Sequence, residues 1–242
     1  MSISVCIATY NGEKYIYEQI DSILPQLGKE DEIVISDDSS TDKTIEIIES
    51  FKDDRIILLK EQTFHSHVYN FENALKHAKG DTIFLADQDD VWLPHKVSHM
   101  LTLLHDYDLV LSDAKMVDEA KNPLHDSFFA FHHSKRGFFK NLYQNSYLGC
   151  CMAFKRNLLD IALPFPKHIN MHDWWIGMNA ELYSSIVFTK EPLVLYRRHE
   201  DTLTPVDRQS TNSFWQKIGF RVAMLRGLTL RYLQRLFSKE KR

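Results

Sequence analysis

Three carboxylates at the end of one apolar run are the densest chemical signal in the chain: Thr82-Ile83-Phe84-Leu85-Ala86 leads into Asp87-Gln88-Asp89-Asp90, and Val91-Trp92 restores apolar character. A continuous apolar run suits a strand covered on both faces, as in a parallel sheet flanked by helices, and ligands of such sheets bind beyond the carboxyl ends of the strands. Asp87 and Asp89, spaced Asp-x-Asp at such an end, can hold a hard divalent cation whose shell is completed by water and phosphate oxygens. The same acids equally suit a polar loop in which Asp90 caps a helix entered through Pro94. Two earlier clusters repeat the theme. Thr9-Tyr10-Asn11-Gly12 follows the apolar Ile3–Ala8, and Asp37-Asp38-Ser39-Ser40-Thr41-Asp42 follows Glu32–Ser36. The acids of the second cluster either face a ligand or make turns and helix caps.

The elements that must position these clusters alternate. Ile3–Ala8, Glu32–Ser36, Ile56–Leu59 and Thr82–Ala86 read as strands. Helical spacing of apolar residues marks Glu13–Leu27, Lys43–Phe51, Val68–Ala78 and His95–His105 between and after them. Strands alternating with helices predict an α/β fold with a doubly wound, mostly parallel sheet, and right-handed crossovers let the ends of the first, second and fourth strands share one crevice. Leu109–Ala114 reads as a further strand whose Asp113 either makes a strand-end turn or orients a ligand.

At 242 residues and 44% hydrophobic content the chain can bury a full core. Three cysteines, two of them adjacent at Cys150 and Cys151, give neither a disulfide framework nor a zinc spacing, which fits a reducing compartment. The chain shows no secretory signal pattern and no apolar run long enough to span a bilayer, so a cytoplasmic location, including the cytoplasmic face of an inner membrane, is expected. Residues 214–242 carry eight Lys or Arg against Glu240 alone, a net +7, which leaves −11 for the rest of a chain whose total is −4. So acidic a body repels nucleic-acid phosphates, and a bound cation or a membrane under the tail accounts better for the asymmetry.

Taken together and in order, Ala8-Thr9-Tyr10-Asn11-Gly12, Ser36-Asp37-Asp38-Ser39-Ser40-Thr41-Asp42 and Asp87-Gln88-Asp89-Asp90-Val91-Trp92 resemble the inverting glycosyltransferases of family 2, which have the GT-A fold. The resemblance continues through Gly149-Cys150-Cys151, His172-Asp173-Trp174-Trp175 and Tyr196-Arg197-Arg198-His199, covering roughly residues 3–204. The Asp-Gln-Asp-Asp-x-Trp form is similar to bacterial surface-polysaccharide enzymes often described as rhamnosyltransferases. It implies a nucleotide-sugar donor, dTDP-rhamnose or a UDP-sugar, a growing and lipid-linked glycan as acceptor, and Mg or Mn as cofactor. By the same resemblance Ala8 and Tyr10 would line the nucleotide pocket, Asp38 would meet the base and Asp87 would lie near ribose or donor sugar. Asp89 would ligate the metal, and Asp173 would be the general base that deprotonates an acceptor hydroxyl. One departure stands out: Thr63-Phe64-His65-Ser66-His67-Val68-Tyr69-Asn70 lacks the glycine this family usually carries there.

In the second half, Leu124–Tyr147 mixes aromatics with His132, His133, Lys135 and Arg136 without clear periodicity, either a loop of an acceptor site or ordinary core aromatics. Leu148–Phe154 reads as a strand whose Gly149 admits close approach, and Lys155–Ala162 as a helix. Trp174 and Trp175 either stack on a sugar and wall off water or belong to the core. Ile186–Phe188 and Leu193–Tyr196 read as short strands leading to Arg197 and Arg198, one of which, Arg198 being the choice here, is a candidate diphosphate clamp, and to His199, a metal ligand, a phosphate contact or a surface residue. The layout expected is a GT-A domain over 1–207, with a nucleotide-sugar half over 1–107 and an acceptor half over 108–207, followed by a basic amphipathic helical tail over 208–242. On a helical wheel Trp215, Ile218, Val222, Leu225, Tyr232, Leu233 and Leu236 fall opposite Lys217, Arg221, Arg231, Arg235 and Lys239. Such a helix lies on an anionic membrane or packs its apolar face on the body. Two other readings of the whole remain: a metal-dependent nucleotidyltransferase, against which the lack of a glycine-rich basic loop after the first strand counts, and a catalytically silent nucleotide- or sugar-binding protein.

Overall fold

The computed structural model describes residues 2–199 and 213–239. Strand β1 (Ile3–Thr9) pairs in parallel with β2 (Glu32–Asp37) on one side and β4 (Thr82–Ala86) on the other, and β2 pairs in parallel with β3 (Ile56–Leu59). Val5, Cys6, Ile7, Ile83, Phe84 and Leu85 are all fully buried, so neighbouring side chains on opposite faces of these strands are both covered. Helices α1 (Ile16–Ile23), α2 (Thr44–Ser50) and α3 (His67–His77) supply the cover; α1 does so through Ile16, Ile20 and Ile23 at helical spacing. The register sets Thr9 beside Asp37 and Ile7 beside Ala86. The clusters that follow β1, β2 and β4 therefore leave the sheet on one edge.

The second half extends the same sheet. It contributes β5 (Val91–Trp92), α4 (Lys96–Leu104), β6 (Leu109–Val117), β7 (Pro123–His125), α5 (Phe128–His132), α6 (Phe138–Tyr143), β8 (Met152–Lys155), α7 (Leu159–Ala162), α8 (His172–Tyr183) and β9 (Ile186–Arg197). The strand order is β3-β2-β1-β4-β8-β6-β9-β5, with β7 on β6. Strand β8 runs antiparallel to both β4 and β6, while β9 is parallel to β6. Two-residue β5 pairs antiparallel with the end of β9, Val91 opposite Leu195 and Trp92 opposite Val194. That pairing carries the acid loop against Arg197, Arg198 and His199.

Four local expectations need correcting. The stretch 124–147 is not a loop: β7, α5 and α6 form there, the helices being five and six residues long and so too short for a period to register. Ser127 Oγ caps α5 by accepting from Ala130 N at 3.0 Å. Residues 149–151 make a 3-10 turn before β8, and 156–158 make another before α7. Residues 186–197 form one strand, bent by register shifts against β6 around Asp113. Asp113 itself is a structural anchor: its carboxylate accepts from Ala114 N, Phe129 N and Ser127 Oγ.

The tail forms α9 (Phe214–Lys239), and it packs on the body by a mixed face rather than by the apolar face read from the helical wheel. Met224, Gly227 and Leu228 are buried on the body, whereas Val222, Leu225, Leu233 and Leu236 are exposed. Arg231 donates to the carbonyls of Leu163 at 2.8 Å and Pro164 at 2.5 Å, and Arg221 donates to the Tyr143 carbonyl. Those carbonyls lie at or just past the ends of α6 and α7, where helices leave acceptors unsatisfied and favour cations. Among the described residues no helix is long and apolar enough to cross a membrane.

Candidate active site

The acid loop sits over a buried cation. Lys96, fully buried at the start of α4, donates from Nζ to the Cys150 carbonyl at 2.5 Å and lies 4.3 Å from the Trp92 ring centre. Burial pulls its pKa down, and the Asp87 and Asp90 charges work in the opposite direction. Asp90 is fully buried: Oδ1 accepts from Arg197 N at 2.9 Å, and Oδ2 has no hydrogen-bond partner among the described residues. Burial, then the neighbouring Asp89 and Asp87, push its pKa well up. Asp87, half-buried, is pushed up by desolvation and then by the charges of Asp89 and Asp173. The loop thus concentrates more negative charge than its surroundings neutralise.

Asp89 points the other way along the loop. Its Oδ2 lies 2.8 Å from His199 Nε2. The His199 ring sits 4.9 Å from that of Tyr15, whose hydroxyl donates to Glu119 at 2.6 Å. Arg197 braces the assembly from below. Only 3% exposed, it donates from Nε to the Asp89 carbonyl at 2.8 Å, from Nη1 to the Glu119 carbonyl at 2.7 Å and from Nη2 to Glu18 at 2.5 Å. Arg198 takes a different course. Its backbone N donates to Val117 O, its Nη1 donates to the Tyr196 hydroxyl at 3.1 Å, and its buried Nε has no partner among the described residues.

Asp87, Asp90 and Cys150 bring one ligand atom each within 4.8 Å of one another, the one such group of three among the described residues. Burial and the nearby carboxylates push the Cys150 thiol well up, so it stays protonated and the oxygens are the donors for a hard cation. The orphaned Asp90 oxygen, the crowded acids and Asp89 fit a hard divalent cation such as Mg or Mn in chemistry, and His199 beside Asp89 adds an imidazole nitrogen, a donor more usual for softer transition metals than for Mg.

Asp173 lies in the first turn of α8, 3% exposed. Its Oδ2 accepts from Gly149 N at 3.1 Å and its Oδ1 from Trp174 N at 2.5 Å. Burial lifts its pKa to about 7 against the pull of these backbone donors. Gly149 is needed there, because a β-carbon on it would fall 2.9 Å from His172 Nε2. His172 is buried against Phe71 with ring centres 3.9 Å apart, neither ring nitrogen has a partner among the described residues, and burial with nearby His67 holds its pKa down at about 3.

The remaining residues divide by environment. Tyr10 is 54% exposed at the mouth of the crevice, and Ala8 is half-buried at the end of β1. Gln88 ties the first and fourth strand ends together: its Oε1 accepts from Thr9 Oγ1 at 2.6 Å and Tyr10 N at 2.9 Å, and its Nε2 donates to Tyr10 O. Asp38 accepts from Phe64 N at 2.6 Å and Ser66 N at 3.1 Å, so it holds the glycine-less loop with both oxygens. Asp37 and Asp42 make local turn and cap bonds to Ser40 and Thr44. Trp174 and Trp175 are buried, each spending its indole N–H on a carbonyl, Asn141 and Ala162 respectively, at 2.8 Å. Lys96 carries no mark in the sequence, Gln88 stands in the quoted Asp-Gln-Asp-Asp motif without a role read for it, and Arg197, a candidate clamp together with Arg198, spends its donors on Asp89, Glu119 and Glu18.

A family model described as glycosyl transferase family 2 matches residues 4–161, more than half of the chain and including the three strand-end clusters. The chain belongs to glycosyl transferase family 2. A UDP-Glc:alpha-D-GlcNAc-diphosphoundecaprenol beta-1,3-glucosyltransferase, WfaP of Escherichia coli, is 42% identical over 99 residues, 41% of this chain and 39% of that protein. The dTDP-rhamnosyl transferase RfbG of Shigella flexneri is 28% identical, with 81% and 72% covered. The fold matches S. aureus TarS 1–349 in complex with UDP-GlcNAc with a TM-score of 0.72 at 22% identity, covering 93% of this chain and 66% of that one. The GT-A architecture expected from the motifs is thus the one observed. The match to the glucosyltransferase spans well under half of that protein's length.

Proposed function

We propose that this family 2 protein transfers a sugar, with inversion, from a nucleoside-diphosphate sugar to a hydroxyl of a lipid-linked or polysaccharide acceptor. The observation that carries the proposal is Asp173, a buried carboxylate with a pKa of about 7 whose charge is felt by Asp87 on the acid loop. A base with that pKa is half-ionised at neutral pH and strong enough to take a proton from a hydroxyl as the oxygen attacks. Inversion by a single displacement places acceptor and departing diphosphate on opposite sides of the sugar carbon. Asp173 serves the first side and the loop Asp87–Asp90 the second. The backbone N–H groups of Gly149 and Trp174 fix the direction of the carboxylate, so its free lone pairs meet the acceptor in one orientation.

Asp89 and His199 are the residues that would hold Mg or Mn, which when bound neutralises charge on the leaving diphosphate. Arg197 keeps Asp89 in place through its carbonyl, and the unpartnered Nε of Arg198 leaves that guanidinium a donor for a phosphate oxygen. Ala8 and Tyr10 border the nucleotide. Asp38 shapes the base pocket through the loop it holds, each oxygen retaining an acceptor position for the base. Trp174 and Trp175 act as the packed backing of the base, keeping water from reaching Asp173 from behind. The names of the relatives, a UDP-Glc enzyme and a dTDP-rhamnosyl transferase, make UDP and dTDP the nucleotides to try first.

The test is a thermal-shift series with UDP, dTDP, GDP and CDP, each in EDTA, Mg or Mn. A rise in Tm with one base, present with metal and absent in EDTA, is expected. No rise with any base under any condition overturns the donor assignment.

A further inference from the structure

The exposed face of α9 is apolar, and it is not alone. Trp215, Val222, Leu225, Tyr232, Leu233 and Leu236 lie on one side of a helix about 39 Å long, each at least 41% exposed. Helix α6 adds two aromatics, Phe139 at 83% and Tyr143 at 76% exposure, and Arg221 of α9 joins the two helices through the Tyr143 carbonyl and ring. The two helices that carry these exposed apolar residues are therefore in contact although far apart in sequence.

Charge selects its occupant. Residues 214–239 hold six Lys or Arg and no Asp or Glu, and residues 127–159 likewise contain no acid while carrying Lys135, Arg136 and Lys140. A second copy docked face to face would bring together two helices of the same net sign, with no acid on either to offset it. The anionic surface of a bilayer meets the opposite sign, and the helix is about as thick as the Debye length, so even cations on its inner flank are felt. Aromatics near both helix ends, Trp215 and Tyr232, suit the headgroup region, where a ring is half wet.

We infer that α9 and α6 together form a docking face for an anionic lipid bilayer, with the apolar stripe in the interface. Both helices are tied to the segment that follows Asp173. Trp174 donates to the Asn141 carbonyl of α6, and the Trp175 ring lies where a β-carbon on Gly227 of α9 would stand 2.9 Å from Cζ3. Docking thus fixes the height of Asp173 over the membrane, where a lipid-linked acceptor presents its saccharide. That last step rests on the transferase reading; the docking face itself does not.

The full chain is mixed with vesicles of phosphatidylglycerol and phosphatidylethanolamine or of phosphatidylcholine alone and sedimented. Co-sedimentation with the anionic vesicles is expected, at least ten-fold weaker on phosphatidylcholine, with a blue shift of tryptophan emission as Trp215 enters the interface. The double variant Leu225→Glu, Leu233→Glu keeps the wild-type Tm, because both side chains are exposed, and loses at least ten-fold in vesicle binding. Equal sedimentation of variant and wild type overturns the inference. So does a dimer in light scattering that the variant dissolves while vesicles bind neither form. Sugar transfer to a water-soluble acceptor reads the other question: vesicle binding without any transfer leaves the docking face standing and removes the transferase reading.

Discussion

At the residue scale the chemistry rests on where burial puts a carboxylate's pKa. Asp173 sits near 7 because desolvation outweighs two backbone N–H donors, and the sign of that shift has two consequences. For activity, kcat/KM should rise with pH through a midpoint close to 7, and Asp173→Asn should lower kcat by roughly 10²–10⁴-fold while leaving nucleotide binding near wild type. Wild-type turnover in the variant would remove Asp173 as the base. For stability, the folded pKa lies above the unfolded carboxylate value, so the native state binds the extra proton. The associated stability is complete below about pH 4 and is lost as pH climbs through 7. The decline of Tm between pH 5 and 8, measured in EDTA, should be shallower in Asp173→Asn than in the wild type. Asp89→Asn bears on the cation: the metal-dependent part of the nucleotide Tm rise should vanish, and an unchanged metal dependence would contradict the role given to Asp89.

At the element scale, a two-residue strand decides the site. Pairing of β5 with β9 brings a loop that begins at residue 87 against a segment that ends at residue 199. Arg197 then locks the junction with side-chain bonds to Asp89, Glu119 and Glu18. A buried guanidinium bonded at three places is held by geometry as much as by charge, and Lys cannot reproduce the fork. Arg197→Lys should cost on the order of 3 kcal/mol, read by denaturant unfolding, and should weaken metal-dependent nucleotide binding through the displaced Asp89. Full stability in that variant would show the fork to be dispensable.

At the scale of the whole molecule, the distribution of charge and of exposed apolar surface gives the protein two contrasting regions. The acid loop gathers carboxylates, while the surface formed by α6 and α9 is basic and aromatic. Gly227 is the point at which α9 meets the body. A larger residue there should lift the helix from Trp175 and Pro166, so Gly227→Leu is expected to lower Tm by several degrees and red-shift tryptophan emission, the overpacking penalty exceeding the gain in helix propensity. An unchanged emission spectrum would mean that α9 tolerates the added side chain by turning about its axis.

The sequence by itself determined the four strands of the first half, because continuous apolar runs such as Ile83-Phe84-Leu85, alternating with helical patterns, suit a sheet covered on both faces, and it determined which clusters follow them. It marked the GT-A fold by the order of those clusters. It did not show α5 and α6, each shorter than two helical turns, nor Lys96, a lone lysine whose ammonium group bonds the Cys150 carbonyl, more than fifty positions away. The side of α9 that meets the body was also beyond it. A wheel reports which face is apolar, but the face that meets the body is a mixed one, where Met224 and Leu228 pack on the core and Arg221 and Arg231 bond the carbonyls at the ends of α6 and α7. Only the tertiary structure decides which face that is, since its partners lie on other elements.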